Sequence, residues 1–417
     1  MAYTELKKLS YGDNEVYAQE YLKRFSSEET VKIDFYIGDN QAFFLKNAEV
    51  MTIAYEIAKL NNKINELCHM LPGVAIGQYS KKCLIDEIVI TNKIEGVHSS
   101  RKEIGEALDI LETQSKKKGK QQRFIGLVNK YLKLINNEHI SLETCEEIRN
   151  IYDEIFLEEV ISEDPSNKPD GKFFRKGSVS VYSEAGKEIH VGVTPECKII
   201  EATTGALKFL NDDSIDDLLK ICVFHYLIEY IHPFYDGNGR LGRFILSYGI
   251  SKVLSPLISF RLSETIKENI SAYYKAFQTC NDQRNLGDLT PFLSMQLKMI
   301  FMSMEELKKS LDEKLATWKK YEVAIEKYCS DSDLLSLYSL LIQAAMFSEK
   351  GISMIELQQN MNKSKYIIKS ILAKIPSEMI VIKKKSNFKY YSISLKKLND
   401  IILEESIQAI TKKEQIK

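Results

Sequence analysis

The sequence is poor in residues that interrupt or cross-link a fold. Only 8 of its 417 residues are proline and 19 are glycine, so long structureless linkers are not expected. Its seven cysteines are scattered singly, which argues against a disulfide framework or a zinc site. No stretch of 18 apolar residues and no apolar signal-like segment near the start are present, so we expect a cytoplasmic protein without a membrane span. Charge is balanced at a net -1, which gives no general attraction to nucleic acid or anionic membranes.

The sequence does have a large apolar fraction with helical spacing. Hydrophobic residues make up 44% of the chain, and its length favours two or three domains of about 150 residues. Apolar residues recur near every 3.6 positions over 47–70, and further helices are predicted over about 80–94, 124–136 and 141–156. Ser141 is the expected N-cap of the last of these, without a full capping box. The class expected is all-α.

Two parts of the chain depart from this pattern. Residues 178–182 and 188–193 alternate around Ala185-Gly186, which predicts a small β-hairpin. At the other end, a charged helix over 306–330 leads into a module over 331–417 whose helices and final hairpin around Ser386-Asn387 resemble a winged-helix domain. Three lysines would lie on or beside its recognition helix: Lys363, Lys365 and Lys369.

The most informative stretch runs from residue 215 to residue 253. An apolar helix must end near Ile231, because Pro233 disfavours helical backbone at His232. The glycines of Asp236-Gly-Asn-Gly permit positive φ and close approach to the backbone, and a second apolar helix begins just after them. One loop thus joins two buried helices and ends at a helix N-terminus, where free N–H groups and the helix dipole favour phosphate.

The charged side chains of this loop suit phosphate chemistry. Arg240 and Arg243 are three residues apart on one face of the first helical turn and offer fixed cations to phosphate oxygens. Asp236 supplies a carboxylate suited to Mg²⁺, and His232 can accept a proton near neutral pH. A lone Asp-Gly-Asn-Gly would instead indicate a tight turn. The full set predicts a phosphoryl- or nucleotidyl-transfer site.

The residues from His232 to Arg243, HPFYDGNGRLGR, resemble the HPFxDGNGRxxR signature of Fic-domain proteins, and every fixed position matches. The resemblance spans roughly residues 85–300 and implies a mainly helical Fic fold with a small β-hairpin flap. The organisation that follows has four parts. An N-terminal helical region spans 1–80, and a catalytic domain spans 81–305 and begins with an inhibitory helix at about 80–96. A linking helix spans 306–330, and the winged-helix-like domain spans 331–417.

Most characterised members of that family transfer AMP from ATP to a protein hydroxyl. The resemblance implies that His232 deprotonates a Ser, Thr or Tyr hydroxyl of a target protein, or of this chain itself, and that the oxygen attacks the α-phosphorus while pyrophosphate leaves. Asp236 would hold Mg²⁺, and Arg240 and Arg243 would bind the β/γ end. The nucleotide loop so implied comprises Asp236, Gly237, Asn238, Gly239, Arg240, Leu241, Gly242 and Arg243.

Three further segments resemble parts of the same family. Thr91-Asn-Lys-Ile-Glu95-Gly96 is similar to its [S/T]xxxE[G/N] inhibitory motif and lies before the core, which implies the subgroup with an N-terminal inhibitory helix. Glu95 would pair with Arg243, the cation meant for the γ-phosphate. The resemblance also implies a flap that borders the nucleotide, formed by Val179, Ser180, Val181 and Tyr182. It implies an adenine pocket formed by Tyr273, Tyr274 and Asn281.

Several alternatives stay open at this stage. The same site could transfer UMP or a phosphoryl group, or remove AMP through a water positioned by Glu95. The chain could also be a DNA-binding regulator with a vestigial Fic core. His225 and Glu229 are interpreted as structural residues. A homodimer is possible, and the expected ligands are ATP, Mg²⁺ and a protein substrate.

Overall fold

The computed structural model describes residues 3–113, 123–182, 188–385 and 388–400. The fold is mostly helical with a few short strands, as predicted. Within the described residues, no helix has both the length and the apolar character needed to cross a membrane. Three parts of the predictions lie outside these residues: the flap turn at 183–187, the turn at Ser386-Asn387 and residues 401–417 of the C-terminal module.

The chain divides into two compact units. The first comprises residues 1–62 with 83–307, and the second comprises residues 63–82 with 308–417. Helices α3 (Ala48–Met70), α4 (Gly73–Ile94) and α15 (Thr290–Tyr328) each contribute residues to both units. The predicted domain boundaries stay predictions.

The remaining elements of the first unit follow one another closely. They are α1 (Leu6–Leu9), α2 (Asn14–Phe25), β1 (Thr30–Ile37), β2 (Asn40–Leu45), α5 (Arg101–Thr113), α6 (Ile125–Ile135), α7 (Cys145–Tyr152), α8 (Glu158–Glu163), β3 (Ser180–Tyr182), β4 (Glu188–Val191), α9 (Glu196–Leu210), α10 (Asp217–Ile231), α11 (Asn238–Val253), α12 (Pro256–Ser259), α13 (Leu262–Glu268) and α14 (Ile270–Asn281). A π-helical turn over Asp153–Leu157 joins α7 to α8.

The N-terminal region contains a hairpin that the sequence analysis did not predict. Strands β1 and β2 pair antiparallel, with Ile37 opposite Asn40 across the two-residue turn Gly38-Asp39. Inward side chains such as Ile33 and Phe35 are buried and alternate with exposed neighbours. This period-two pattern followed by Gly-Asp is a hairpin signal, so the region was predictable as non-helical.

Two helix starts differ from the predictions. Helix α4 begins at Gly73, directly after Pro72, and not near residue 80. The N-cap of α7 is Thr144, not Ser141: its hydroxyl accepts from the Glu147 N–H at 3.2 Å, while Glu147 Oε2 accepts from the Thr144 N–H at 3.0 Å. This full capping box satisfies two otherwise unpaired N–H groups and explains the later start.

Helices α10 and α11 form the centre of the first unit. Nearly every residue of α10 is buried, and it packs against α9 and α11. Helix α11 in turn packs against α6 and α12. Because both helices are surrounded by other elements, the loop between them is held rigidly from both sides.

The second unit ends in a small mixed module. Helices α16 (Ser332–Phe347), α17 (Met354–Met361) and α18 (Lys365–Leu372) accompany a three-stranded antiparallel sheet. Its strands are β5 (Ile352–Ser353), β6 (Ile380–Lys385) and β7 (Phe388–Ile393), in the spatial order β5-β7-β6. A capping box between Ser353 and Glu356 begins α17. Whether this module is a winged-helix domain stays a prediction.

Candidate active site

His232 ends helix α10 in a left-handed backbone conformation, with φ 52° and ψ 61°. Its backbone N–H donates to the Ile228 carbonyl at 3.0 Å. Pro233 follows, in agreement with the predicted end of the helix at Ile231. The imidazole Nδ1 lies 3.4 Å from the Glu229 carbonyl oxygen. A hydrogen bond there keeps the ring proton on Nδ1 and leaves Nε2 as the acceptor.

The imidazole of His232 is neutral at physiological pH. Burial lowers its pKa to about 4, and the neighbouring His190 of β4 acts in the same direction. The Glu229 carbonyl and the Glu95 carboxylate act in the opposite direction without restoring the usual value. A buried, unprotonated imidazole is the form that can accept a proton.

The loop after His232 is shaped by its own side chains. Gly237 adopts a left-handed conformation with φ 82°. The Asn238 amide bonds the Phe234 backbone twice: Oδ1 accepts from its N–H at 2.9 Å and Nδ2 donates to its carbonyl at 2.8 Å. Phe234 is buried and stacks on Tyr152 with ring centroids 3.7 Å apart. The Asn238 side chain, expected to cradle phosphate, is therefore occupied in holding the loop.

The Glu95 carboxylate lies at the N-terminus of α11. Its Oε1 is 2.8 Å from Arg243 Nη2, and a Cβ added at Gly239 would fall 2.2 Å from the same oxygen. Arg243 also donates from Nε to Thr91 Oγ1 at 2.8 Å and from Nη2 to the Thr91 carbonyl at 3.2 Å. Glu95 and Gly96 form the turn that follows α4, and Gly96 has a φ of 74°. The structure thus brings the predicted Thr91, Glu95 and Arg243 together.

Arg243 depends on a neighbouring anion because it is buried. Burial opposes its charge, but Glu95, Tyr273 and Glu229 together raise its pKa above the usual range. A buried guanidinium that loses its partner is strongly destabilised unless another anion replaces that partner. Removal of the Glu95 carboxylate would therefore leave a site with a strong preference for a negatively charged group.

Arg240 and Asp236 are placed differently from Arg243. The Arg240 guanidinium is buried, pairs with Glu159 and lies over the Phe156 ring at 4.9 Å from its centroid. Its Nε and Nη2 have no hydrogen-bond partner among the described residues. Asp236 Oδ1 accepts from the Gly237 N–H at 2.6 Å. Neither Arg240, the predicted phosphate ligand, nor Asp236, the predicted metal ligand, is among the described residues that line the cavity beside His232.

A cavity of about 110 Å³ opens beside His232. Eight of the predicted site residues line it: Glu95, Val181, His232, Gly239, Arg243, Tyr273, Tyr274 and Asn281. The other predicted residues are not among its described lining: Thr91, Gly96, Val179, Ser180, Tyr182, Asp236, Gly237, Asn238, Arg240, Leu241 and Gly242. The cavity therefore brings His232, the Glu95 carboxylate and the pair Tyr273-Tyr274 together in one space.

Glu229 also lines the cavity, although the sequence analysis interpreted it as structural. Its Oε1 is buried without a hydrogen-bond partner among the described residues, and it lies 2.1 Å from the position of a Cβ at Gly242. Burial raises its pKa to about 8, which Arg243 opposes and Glu95 reinforces. The signal for this residue was its acidic side chain in the apolar second half of α10, three positions before His232.

The predicted hairpin at 178–193 is present as β3 and β4, with Val181 opposite His190. His190 Nε2 lies 2.7 Å from the Tyr230 carbonyl oxygen, which fixes β4 against α10. The N-terminal hairpin reaches the same residue, since the Gly38 N–H donates to the Tyr230 hydroxyl at 3.1 Å. Sequence reasoning missed six lining residues: Ile189, His190, Glu229, Tyr230, Phe277 and Gln278.

Residues 143–248 match the sequence model of the Fic/DOC family. This part of the chain is similar to a Fic domain. That match covers α7 to α11 as far as Tyr248, and so includes the whole loop from His232 to Arg243. Glu95 and the Tyr273–Asn281 segment lie outside it.

Proteins that are similar to this chain over part of its length include some that are named as adenylyltransferases. Protein adenylyltransferase fic-1 from Caenorhabditis briggsae and its counterpart from Caenorhabditis elegans are each 32% identical over 126 residues. Each alignment covers 26% of this chain and 22% of the relative, so it spans about a fifth of their length. A probable protein adenylyltransferase from Aquifex aeolicus is 54% identical over 37 residues, which is 9% of this chain and 12% of the relative.

Solved structures of Fic proteins give similar matches. A Fic family protein from Desulfovibrio desulfuricans has a TM-score of 0.49 at 16% identity, covering 84% of this chain and 96% of that chain. Fic-1 from Caenorhabditis elegans has a TM-score of 0.42 at 21% identity, covering 63% of this chain and 74% of that chain.

Proposed function

We propose that this chain is a protein adenylyltransferase that transfers AMP from ATP to a Ser, Thr or Tyr hydroxyl of a target protein or of itself. We propose further that Glu95 inhibits it. The observation that carries the proposal is the Glu95–Arg243 pair at the start of α11, in one cavity with the neutral His232. The adenylyltransferase names of the relatives support the donor and the reaction type.

The proposed chemistry uses His232 as a general base. Its Nε2 takes the proton of the incoming hydroxyl as the hydroxyl oxygen forms a bond to the α-phosphorus. The bond between the α- and β-phosphoryl groups breaks, and pyrophosphate leaves with the electron pair. A pKa of about 4 keeps the ring available as a base at pH 7, although a weaker base than a free histidine. Its fixed backbone and buried ring compensate by holding Nε2 in position.

Mg²⁺ would be held by Asp236 together with the phosphates of the nucleotide. The described residues contain no group of three His, Cys, Asp or Glu side chains that could hold a metal ion. A single carboxylate nevertheless fits, because Mg²⁺ commonly binds through one or two carboxylates plus substrate phosphates and waters. One Asp236 oxygen bonds the Gly237 N–H, which orients the carboxylate. When bound, the ion would neutralise phosphate charge.

The proposed inhibition is a competition between two anions for one cation. Glu95 occupies Arg243 and lies against Gly239, at the helix end that would otherwise attract phosphate. A γ-phosphate and the Glu95 carboxylate cannot both fill this space. ATP would bind productively only after Glu95 has moved or been removed.

The base pocket that we propose lies at the other side of the cavity. Tyr273 is buried and Tyr274 is partly exposed, with ring centroids 5.6 Å apart in an edge-to-face arrangement. The Tyr226 hydroxyl donates to Asn281 Oδ1 at 2.6 Å, which leaves the amide N–H groups for a ring nitrogen of the base. An aromatic face and an oriented amide suit a purine.

The test is the Glu95→Gly variant offered α-labelled ATP, UTP and GTP separately. Loss of a charged hydrogen bond of about 1.5–3 kcal/mol should raise protein-bound label from ATP at least about tenfold. Lys93→Gly is the matched control, because it changes the same last turn of α4 without touching Arg243. Label from UTP or GTP alone would reassign the donor, and no label from any nucleotide would overturn the proposal.

A further inference from the structure

Arg175 is a fully buried arginine that pairs with no acidic side chain among the described residues. It lies in the segment between α8 and the flap strand β3. Its guanidinium donates to three backbone carbonyls: Nε to His232 at 2.9 Å, Nη2 to Val193 at 2.9 Å and Nη1 to Gly177. Gly177 and Val193 flank the flap, because Gly177 precedes β3 and Val193 follows β4.

The backbone repeats the same connection. The Arg175 N–H donates to the Pro233 carbonyl at 3.2 Å, and the Val193 N–H donates to the Ile231 carbonyl at 3.0 Å. Together with the bond from Arg175 Nε to the His232 carbonyl, these bonds involve the carbonyls of three consecutive residues, Ile231, His232 and Pro233. Both ends of the flap are thereby fixed to the residue that carries the imidazole.

The fit around the Arg175 side chain leaves little freedom. A Cβ added at Gly192 would fall 2.4 Å from Arg175 Nη2 and 2.9 Å from His232 Cβ. Only a planar, forked donor can reach three carbonyls on three segments at once, and lysine has neither the shape nor the reach. His232 holds a left-handed backbone conformation that non-glycine residues seldom adopt, and such conformations persist where surrounding bonds fix them.

We propose that Arg175 is the positioning residue that joins the flap and His232 into one rigid unit, so that a target held by the flap meets the imidazole at a fixed distance. This inference rests on the proposed function, because the unit matters only if His232 acts on a hydroxyl. Arg175 touches neither nucleotide nor target in this scheme, and acts through His232 and the flap.

Arg175 also contributes a charge to the surroundings of His232. Four groups act on the imidazole: His190 from β4, Glu95 from the turn after α4, the Glu229 carbonyl from α10 and Arg175. Arg175 and His190 lower the His232 pKa, while the other two raise it. Loss of the Arg175 charge should therefore move the His232 pKa upward, and the acidic limb of the rate profile should move to higher pH with it.

The experiment compares Arg175→Met and Arg175→Lys in the Glu95→Gly chain. We expect Arg175→Met to reduce kcat for AMP transfer on the order of 100-fold, the effect of a misplaced reacting group, with ATP affinity unchanged. Its acidic limb and its His232 pKa, measured by NMR, should both move upward. Arg175→Lys should lose a similar fraction of kcat, because lysine lacks the forked guanidinium that holds three carbonyls. Its His232 pKa should stay near the parent value, because the positive charge remains.

Arg149→Met is the matched control. Arg149 donates to the Phe173 carbonyl at 3.1 Å and pairs with Asp153, but contacts neither the flap ends nor His232. Its loss should leave kcat and the His232 pKa unchanged. If Arg175→Met does not fold, Arg175→Gln takes its place. Parent values of both kcat and the His232 pKa in a folded Arg175→Met or Arg175→Gln chain would overturn the inference.

The two proposals fail separately. A Glu95→Gly chain that transfers no nucleotide would overturn the proposed function. The NMR titration of His232 needs no activity, so it would still show whether Arg175 acts on the imidazole.

Discussion

His232 owes its properties to its surroundings as much as to its residue type. Pro233 and the apolar run before it were enough to predict that the helix stops there and presents the imidazole. The partners of the ring and of the backbone were not predictable, because Arg175 and His190 lie about 57 and 42 residues earlier in the chain and reach His232 only through the fold. The interpretation of Glu229 as structural stays a prediction: its position one helical turn before His232 was visible in the sequence, but its place in the cavity lining and an Oε1 without a partner among the described residues were not.

His232→Ala should abolish AMP transfer in the Glu95→Gly chain while ATP still binds. The change removes the base but leaves Arg243 and the α11 N-terminus, and general-base catalysis contributes about 100- to 10,000-fold. Calorimetric titration with ATP and a label assay on the same preparation measure the two effects. Retained transfer would contradict the assigned role, and lost ATP binding would show that the imidazole also supports the nucleotide.

At the scale of elements, helices were predicted well where apolar spacing was long and regular. The span 47–70 became α3, and the two helices around the HPFYDGNGRLGR loop lie where expected. Short elements were less reliable, since competing local bonds decide them. The hairpin β1–β2 was missed although its alternation and Gly38-Asp39 turn are in the sequence, and the start of α7 was assigned to Ser141 three residues too early.

Thr144→Ala should lower the free energy of unfolding by about 1 kcal/mol, the usual cost of losing a hydroxyl N-cap. The substitution removes the acceptor for the Glu147 N–H at the start of α7, which leads into the π-helical turn beside the active-site loop. Denaturant unfolding measures the loss. Thr144→Ser keeps the oxygen and should retain most of the stability; equal stability of the alanine variant and the parent would show that the capping box contributes nothing.

At the scale of the whole molecule, the described residues that line the cavity beside His232 all belong to the first unit. The order of α16, β5, α17, α18, β6 and β7 matches the predicted series of helices followed by a hairpin, with one short strand added. Of the three lysines singled out, Lys363 pairs with Asp333 at 2.9 Å, while Lys365 and Lys369 are exposed. Tyr366 between them is 83% exposed. The order of elements was predictable here because local signals dominate. Whether the module is a winged-helix domain, and what it binds, stay predictions.

DNA binding by this unit stays a prediction with a defined measurement. If α18 contacts phosphates, gel-shift affinity should fall steeply with salt, and replacing Lys365 and Lys369 by alanine should reduce the salt slope by about 2. Lys319→Ala, at an exposed position on α15, is the matched control. Affinity that is absent, or insensitive to salt, would exclude this role and favour a protein partner for the same surface.

The contact between the Gly38 N–H and the Tyr230 hydroxyl has a practical consequence for anyone who wishes to shorten this protein. A fragment trimmed to residues 143–248 would keep the loop from His232 to Arg243. It would lose Glu95, Asn281 and the N-terminal hairpin β1–β2 that contacts Tyr230. Such a fragment would lack the carboxylate proposed to inhibit the site, every residue of the proposed base pocket (Tyr273, Tyr274 and Asn281) and the support of the N-terminal hairpin at Tyr230. Loss of activity in it would say nothing about the chemistry of the intact chain.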